Sequence, residues 1–179
     1  MKTIPNDPSL SGAVVFERGT KLLARLIIKW MARYAKRRGL KPLPFSHMET
    51  LVWDDHNKIL YTIGARKSGA EITPAELYYG EHDIMILKPK YPLCEVDNGT
   101  LWVFFTEIDD TKYQFGKLLD WVFYILYGWK LGKQGARKNV CYELAARFSD
   151  VIKLWDESRD KDYATPYDWL ENEKYVIHE

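Results

Sequence analysis

The alternation of apolar and polar positions divides the first part of the chain into short strands and one long helix. A β-branched pair bounded by glycine and charge predicts a strand over 12–17. The segment 20–38 places apolar side chains three and four residues apart and predicts a helix that Thr20 caps. The predicted apolar stripe of this helix consists of Leu23, Leu26, Ile27, Trp30 and Tyr34.

Further strands are predicted after this helix. Residues 41–44, "KPLP", break the chain, and the runs 45–53 and 58–65 predict a hairpin around the polar turn "DDHN". Residues 82–89 predict another strand. The run 100–108 is apolar and β-rich but is also compatible with the start of a helix, so both interpretations stay open.

The second half of the chain is predicted to be mainly helical. Residues 112–129 predict a helix interrupted near Gly116, and 132–139 predict a loop. Another helix is predicted from Val140 to about Trp155, with a buried side made of Leu144, Ala145, Phe148, Val151, Ile152 and Trp155. The order of elements predicts an α+β fold, a small antiparallel sheet with packed helices, because strands and helices do not alternate regularly.

Length and composition favour one soluble domain. The chain has 179 residues, of which 46% are hydrophobic, and we expect a single domain with a core over about 12–155 and an acidic C-terminal extension over 156–179. The polar N-terminus has no signal peptide pattern, and no run is long enough to cross a bilayer. We therefore expect a cytoplasmic protein, or one delivered as a component of a viral particle.

Charge is unevenly distributed although the net charge is +1. Basic residues cluster between Lys29 and Lys41, and acidic residues gather between Asp156 and Glu179. Two solvated faces are the first interpretation, and a polyanion-binding patch is the alternative. A near-zero net charge and the lack of a base-stacking motif argue against nucleic acid as the partner. An oligomer or an assembly partner stays open.

The stretch "KNVCYELAARF" at 138–148 places Cys141 at the start of the helix predicted from Val140. Asn139 is the predicted N-cap, since its side chain can accept a backbone N–H of the first turn. The helix dipole and the free N–H groups there favour a thiolate and could bind an oxyanion. A lone cysteine on an apolar helix face can equally be a core residue.

Four histidines could supply a base for a thiol nucleophile. His56 lies in a predicted turn, His178 lies near the end of the sequence, and His82 begins a predicted strand. His47 is inside a strand and shares a face with Glu49, because side chains alternate along a strand with period two. A polar pair on an otherwise apolar face must find partners or have a function.

Four motifs in order carry a resemblance to a known family: "GAVVFERGTKLLARLI", "FSHMETLVWDD", "ILYTIGARKSG" and "NVCYELAARF". Together they resemble the permuted papain-like cysteine hydrolases, the YiiX-like group of the NlpC-type amidopeptidase superfamily. The match covers residues 12 to about 150. The histidine precedes the cysteine along the chain, which is the permuted order, and the resemblance therefore implies a circularly permuted papain-like fold.

The resemblance implies roles for particular residues. Cys141 matches the nucleophile and His47 the general base, and a third polar residue on the following strand orients the imidazole. Thr62 is nearest to that third position, and Glu49 is the competing candidate. Glu143 matches a family glutamate of uncertain role, and we interpret it as structural.

The implied activity is that of a thiol-dependent amidase or peptidase that forms an acyl-enzyme on a peptide or N-acyl substrate, such as a cell-wall peptide. No metal and no cofactor are implied. The alternative is a catalytically degenerate descendant that keeps the fold as a structural or interaction protein, for example in a viral particle. Cys94, in a proline-punctuated loop beside Glu95, is predicted to lie outside the site.

Overall fold

The secondary structure combines a six-stranded sheet with five α-helices in a computed structural model that describes residues 4–66, 69–77, 83–108, 115–130 and 140–178. The strands are β1 (Val14–Glu17), β2 (His47–Asp54), β3 (Ile59–Arg66), β4 (Gly69–Pro74), β5 (Ile84–Pro89) and β6 (Tyr175–His178). The helices are α1 (Leu22–Arg37), α2 (Glu95–Ile108), α3 (Phe115–Tyr127), α4 (Cys141–Val151) and α5 (Pro166–Leu170). These elements confirm the α+β class.

All pairings in the sheet are antiparallel, and the strand order is β4-β3-β2-β1-β5-β6. β1 lies at the centre, where Val15 is opposite Glu49 on β2 and opposite Ile86 on β5. The hairpin predicted around the "DDHN" turn is confirmed, with Leu51 of β2 opposite Thr62 of β3. β4 was not predicted, and it extends the sheet beyond β3.

The sheet separates two apolar clusters because side chains alternate between its faces. Val14 and Phe16 of β1 belong to the larger cluster, which includes buried side chains of all the helices. Val15 belongs to the smaller cluster, which includes Ile4 and Leu10 of the N-terminal segment.

α1 confirms the predicted helix but differs in its cap and its buried face. The N-cap residue is Lys21, which makes no side-chain capping bond, so the prediction of a Thr20 cap is wrong. The buried residues are Ile27, Met31, Tyr34 and Ala35. Leu23 and Leu26, predicted to be part of the apolar stripe, are exposed.

The ambiguous run 100–108 is helical, as part of α2. Glu95 and Asp97 lie in the first turn, where acidic side chains interact favourably with the helix dipole. Leu101 is fully buried, and Trp102 Nε1 donates a hydrogen bond to the carbonyl of Trp53. Packing against the sheet therefore decides between the two interpretations.

α4 ends at Val151, before the predicted limit at Trp155. Lys153 has a φ of 57°, a left-handed conformation that ends the helix. The backbone N–H groups of Leu154 and Trp155 then turn back to the carbonyl of Ser149. Trp155 is buried as predicted, but from outside the helix.

The acidic segment after Trp155 contributes to the same core as the rest of the chain. Trp169 is fully buried and contacts Phe16 edge to face, with ring centroids 6.3 Å apart. The hydroxyl of Tyr175 lies 2.9 Å from that of Ser149 on α4, and β6 pairs with β5. The core therefore continues beyond residue 155.

Some sequence predictions concern residues outside the described ranges: the loop 132–139 with Asn139, the residues before Phe115 in the predicted helix 112–129, and His82. Among the helices described, none has the length and apolar character needed to cross a bilayer.

Candidate active site

His47 and Glu49 lie two residues apart at the start of β2, so their side chains leave the same face of the sheet. His47 Nε2 donates a hydrogen bond to Glu49 Oε1 at 3.1 Å. The Glu49 side chain is 2% exposed and that of His47 is 24% exposed. The histidine therefore lies at the edge of the core, with its carboxylate partner inside it.

Cys141 is the first residue of α4, and this helix packs against β2 and β3. Its side chain is buried and lies close enough to the imidazole of His47 to raise the pKa of that ring. Val140 is the N-cap, and its side chain cannot accept a hydrogen bond, so the prediction that Asn139 is the N-cap is wrong. The first N–H groups of a helix take no part in its own ladder of hydrogen bonds, and in α4 these groups belong to Cys141 and the residues that follow it.

The surroundings of His47 favour its protonated form. Burial by itself would lower its pKa, but the interactions of the ring with the Cys141 side chain and with the Glu49 carboxylate raise it from 6.5 to about 10. The pKa of Glu49 is lowered although burial opposes this, because it accepts from His47 and faces Arg66. The arrangement stabilises the imidazolium form of His47 beside the Glu49 carboxylate.

Two residues of β3 determine the position of the Glu49 carboxylate, one by binding it and one by leaving space for it. The sequence analysis identified neither of them. Arg66 Nη2 donates to Glu49 Oε1 at 2.5 Å. A Cβ at Gly64 would lie 2.6 Å from Glu49 Cγ, so only glycine leaves room for this carboxylate. The sequence signal was available: Gly64 and Arg66 alternate with period two, and a buried carboxylate requires a cation.

Thr62 is buried on β3, and its hydroxyl forms a hydrogen bond with a residue other than His47. Its hydroxyl donates to the backbone carbonyl of Thr73 on β4, at 3.2 Å. Of the two predicted orienting residues, Glu49 is the one that contacts the His47 ring in the structure.

Glu143, in the first turn of α4, is almost fully buried and forms ion pairs with two cations. Lys117 Nζ of α3 contacts both carboxylate oxygens at 2.9 and 3.0 Å, and Arg147 Nη2 contacts Oε1 at 2.8 Å. Burial raises the pKa of Glu143, and the two cations oppose that shift. Tyr142 stacks on Trp121 of α3, with ring centroids 5.1 Å apart. These contacts fix the first turn of α4 against α3.

The remaining candidates lie apart from this constellation. Cys94 is exposed, and its Sγ donates to Asp97 Oδ2 at 3.1 Å. His56 lies exposed in the turn between β2 and β3. Within the described residues, no group of three or more His, Cys, Asp or Glu side chains could hold a metal ion.

Comparison with solved structures shows the fold. The chain is similar to the crystal structure of the metalloprotein yiiX from Escherichia coli O157:H7, with a TM-score of 0.66 and 10% sequence identity. The alignment covers 96% of this chain and 97% of yiiX. At this identity the likeness shows a YiiX-like fold and nothing finer. No protein-family model matches the sequence. No curated protein matches it either.

Proposed function

We propose that the protein is a thiol-dependent hydrolase that cleaves an amide through an acyl-enzyme on Cys141. The observation that carries the proposal is the grouping of three side chains: Cys141 acts on the His47 ring closely enough to raise its pKa, and His47 donates to the buried Glu49. A nucleophile, a base and a group that orients the base are the minimum that this chemistry requires.

In the first half of the reaction, the proton of the Cys141 thiol resides on His47. Since Nε2 is held by Glu49, the other ring nitrogen exchanges the proton with Sγ. Sγ attacks the carbonyl carbon, a C–S bond forms, and the carbonyl π pair moves to oxygen. The backbone N–H groups at the start of α4 stabilise this oxyanion.

In the second half, the tetrahedral intermediate collapses and the C–N bond breaks. His47 gives its proton to the leaving amine, which leaves a thioester on Cys141. Water then attacks the thioester while His47 accepts one of its protons. The C–S bond breaks, the acid departs, and the proton returns to the thiol. Glu49 stays ionised throughout and stabilises the imidazolium.

A peptide or N-acyl amide is the proposed substrate class, and a cell-wall peptide is the example that the sequence resemblance supplies. Cys141 is only 7% exposed, so a reacting carbonyl must reach the sulfur through a narrow approach. We propose that the protein shares this fold and chemistry with the permuted papain-like enzymes.

The yiiX protein is described as a metalloprotein. Two buried carboxylates described above are committed to cations of the chain itself, Glu49 to Arg66 and Glu143 to Lys117 and Arg147. These residues do not form a metal-binding set, and the proposed mechanism has no metal step.

Covalent labelling tests the proposal in a Cys94→Ser background, which leaves Cys141 as the only cysteine. A thiolate paired with an imidazolium reacts with iodoacetamide well below pH 8, whereas an ordinary core thiol does not. The same protein, mixed with p-nitrophenyl acetate, should gain one acetyl group on Cys141 by mass spectrometry. A panel of N-acyl amino acid and peptide amides then measures turnover.

Two matched variants control the labelling. His47→Ala should abolish both labelling below pH 8 and acetylation, while circular dichroism shows that the fold is kept. Cys94→Ser alone should leave turnover unchanged. A Cys141 that stays unlabelled and unacetylated in the folded parent would contradict the hydrolase and favour the inactive structural or interaction protein.

A further inference from the structure

The outer face of α1 carries exposed leucines and exposed cations side by side. Leu22, Leu23 and Leu26 are 76%, 41% and 37% exposed, so the first turns of this helix present apolar surface to solvent. Apart from Arg37, which donates to the backbone carbonyls of Ile125 and Leu126, the exposed cations of α1 and its N-cap are Lys21, Arg25, Lys29, Arg33 and Lys36. We call these eight residues the outer face of α1.

Among the described residues, the cations of this face have no acidic partner. Between Arg18 and Met48 the sequence contains no Asp or Glu. None of the five cations forms an ion pair over the described ranges, and some acidic residues of the C-terminal segment are bound elsewhere: Asp162 to Arg147, and Asp168 to Arg159. The C-terminal acids described therefore form no ion pair with the outer face of α1.

A depression on the same face has the size and lining of a site for an anionic headgroup. It encloses about 430 Å³ between α1 and the following segment. Lys29, Arg33 and Lys36 supply its charge, and Leu40 and Pro42 supply apolar walls. A phosphate headgroup could meet three cations there while its acyl chains contact apolar side chains.

We propose that the outer face of α1 is a docking surface for a membrane that contains anionic phospholipid. Exposed leucines insert among the lipid chains while the neighbouring cations bind phosphate and carboxylate headgroups, which is how amphipathic basic helices bind at a bilayer interface. This proposal does not depend on the hydrolase activity.

Two other occupants fit the face less well. A second copy of the chain that paired α1 with α1 would bring two acid-free basic helices together, and like charges repel. Nucleic acid would use the cations but would leave the three leucines exposed to water, since phosphodiester backbones are bound by charge and hydrogen bonds. An anionic membrane would cover the three leucines and also bind the cations of the outer face of α1.

Vesicle flotation of the full chain tests the docking surface. Phosphatidylcholine vesicles that contain phosphatidylserine should carry the protein upward at about 0.1 M salt, and pure phosphatidylcholine vesicles should carry much less. Lys29→Gln with Arg33→Gln should lower the partition coefficient about thirtyfold, since each basic residue near an anionic surface contributes about fivefold. Leu22→Ser with Leu26→Ser should lower it about tenfold or more, because the inserted apolar surface is lost.

Control variants separate docking from net charge and from catalysis. Lys88→Gln with Lys90→Gln removes the same charge from β5 and the residue after it, and should leave binding within about twofold, because charges away from the contact are screened by salt. Cys141→Ala should bind vesicles as the parent does. The thermal transition of each variant confirms that exposed substitutions keep the fold.

Three results would overturn the proposal. One is equal flotation of the parent with and without phosphatidylserine, and another is unchanged flotation of the Lys29 and Arg33 variant. The third is a parent protein that does not bind vesicles but forms a dimer that Leu22→Ser dissociates. A parent that binds oligonucleotides in place of vesicles would count in the same way.

Discussion

His47 and Glu49 form a hydrogen-bonded pair within one strand, Nε2 to Oε1 at 3.1 Å, with the carboxylate 2% exposed. The carboxylate comes from the same strand as the histidine, two residues on, and Gly64 of the neighbouring strand provides the space for it. Glu49 therefore supplies the contact to the imidazole that the sequence resemblance assigned to the position of Thr62.

Replacing Glu49 should be more harmful than replacing Thr62. Glu49→Gln keeps the shape of the side chain but removes the charge that stabilises the imidazolium, so we expect kcat/KM to fall by about 10²-fold or more. Thr62→Val removes only the hydrogen bond to Thr73, and its effect on kcat/KM should be below about threefold. The measurement is kcat/KM of the Glu49→Gln and Thr62→Val variants on the same substrate. If Thr62→Val lowered kcat/KM strongly and Glu49→Gln left it unchanged, the residue that orients His47 would be Thr62 on β3.

Gly64→Ala should impair the site through Glu49. The added Cβ would lie 2.6 Å from Glu49 Cγ and 2.9 Å from Oε1, so the carboxylate must leave its place beside His47. We expect a lower kcat/KM and a lower free energy of unfolding, by about 1–3 kcal/mol, which is typical of overpacking.

Gly99→Ala is the matched control for Gly64→Ala. Gly99 lies within α2, and a Cβ there would meet no atom within 4 Å. Alanine favours a helix over glycine by about 1 kcal/mol, so this variant should be slightly more stable and fully active. Equal kinetics for the two alanine variants would argue against the role that we assign to the space at Gly64.

The pH profile should show an alkaline limb near pH 10. The pKa of His47 is about 10, and activity requires its protonated form beside the thiolate, so activity is lost as pH rises through that value. Glu49→Gln removes a negative charge and should move this limb to lower pH. The measurement is kcat/KM against pH for both proteins. A parent limb near 6.5 would show that Cys141 and Glu49 do not stabilise the imidazolium.

Glu143, two residues after the proposed nucleophile Cys141, should matter mainly for stability. Glu143→Ala leaves Lys117, whose side chain is 5% exposed, as a buried charge without its carboxylate, which typically costs about 3–5 kcal/mol. Urea unfolding monitored by circular dichroism measures the loss. Glu157→Ala, at an exposed position, should change stability by less than about 0.5 kcal/mol. A Glu143→Ala protein as stable as this control would contradict the structural role.

Local patterns in the sequence were sufficient to predict several elements. The period-two alternation from His47 to Trp53 and the polar turn after it predicted the hairpin, and the helical spacing of Ile27 and Tyr34 predicted α1. The sequence also selected Cys141, His47 and Glu49 as candidate reactive groups, because their residue types and their place in the predicted elements restrict the available chemistry. These inferences need only the geometry of a strand or a helix.

Features that depend on contacts distant in sequence emerged only in the folded chain. Folding brings Cys141 to His47 across almost a hundred residues of chain, and it places β6 at the edge of the sheet, within a segment whose composition is that of an acidic tail. It also chooses Glu49 over Thr62 as the partner of the imidazole, because Gly64 leaves space and Arg66 supplies a cation. Pairing between strands sets those distances, and no local pattern encodes which strand will lie beside which.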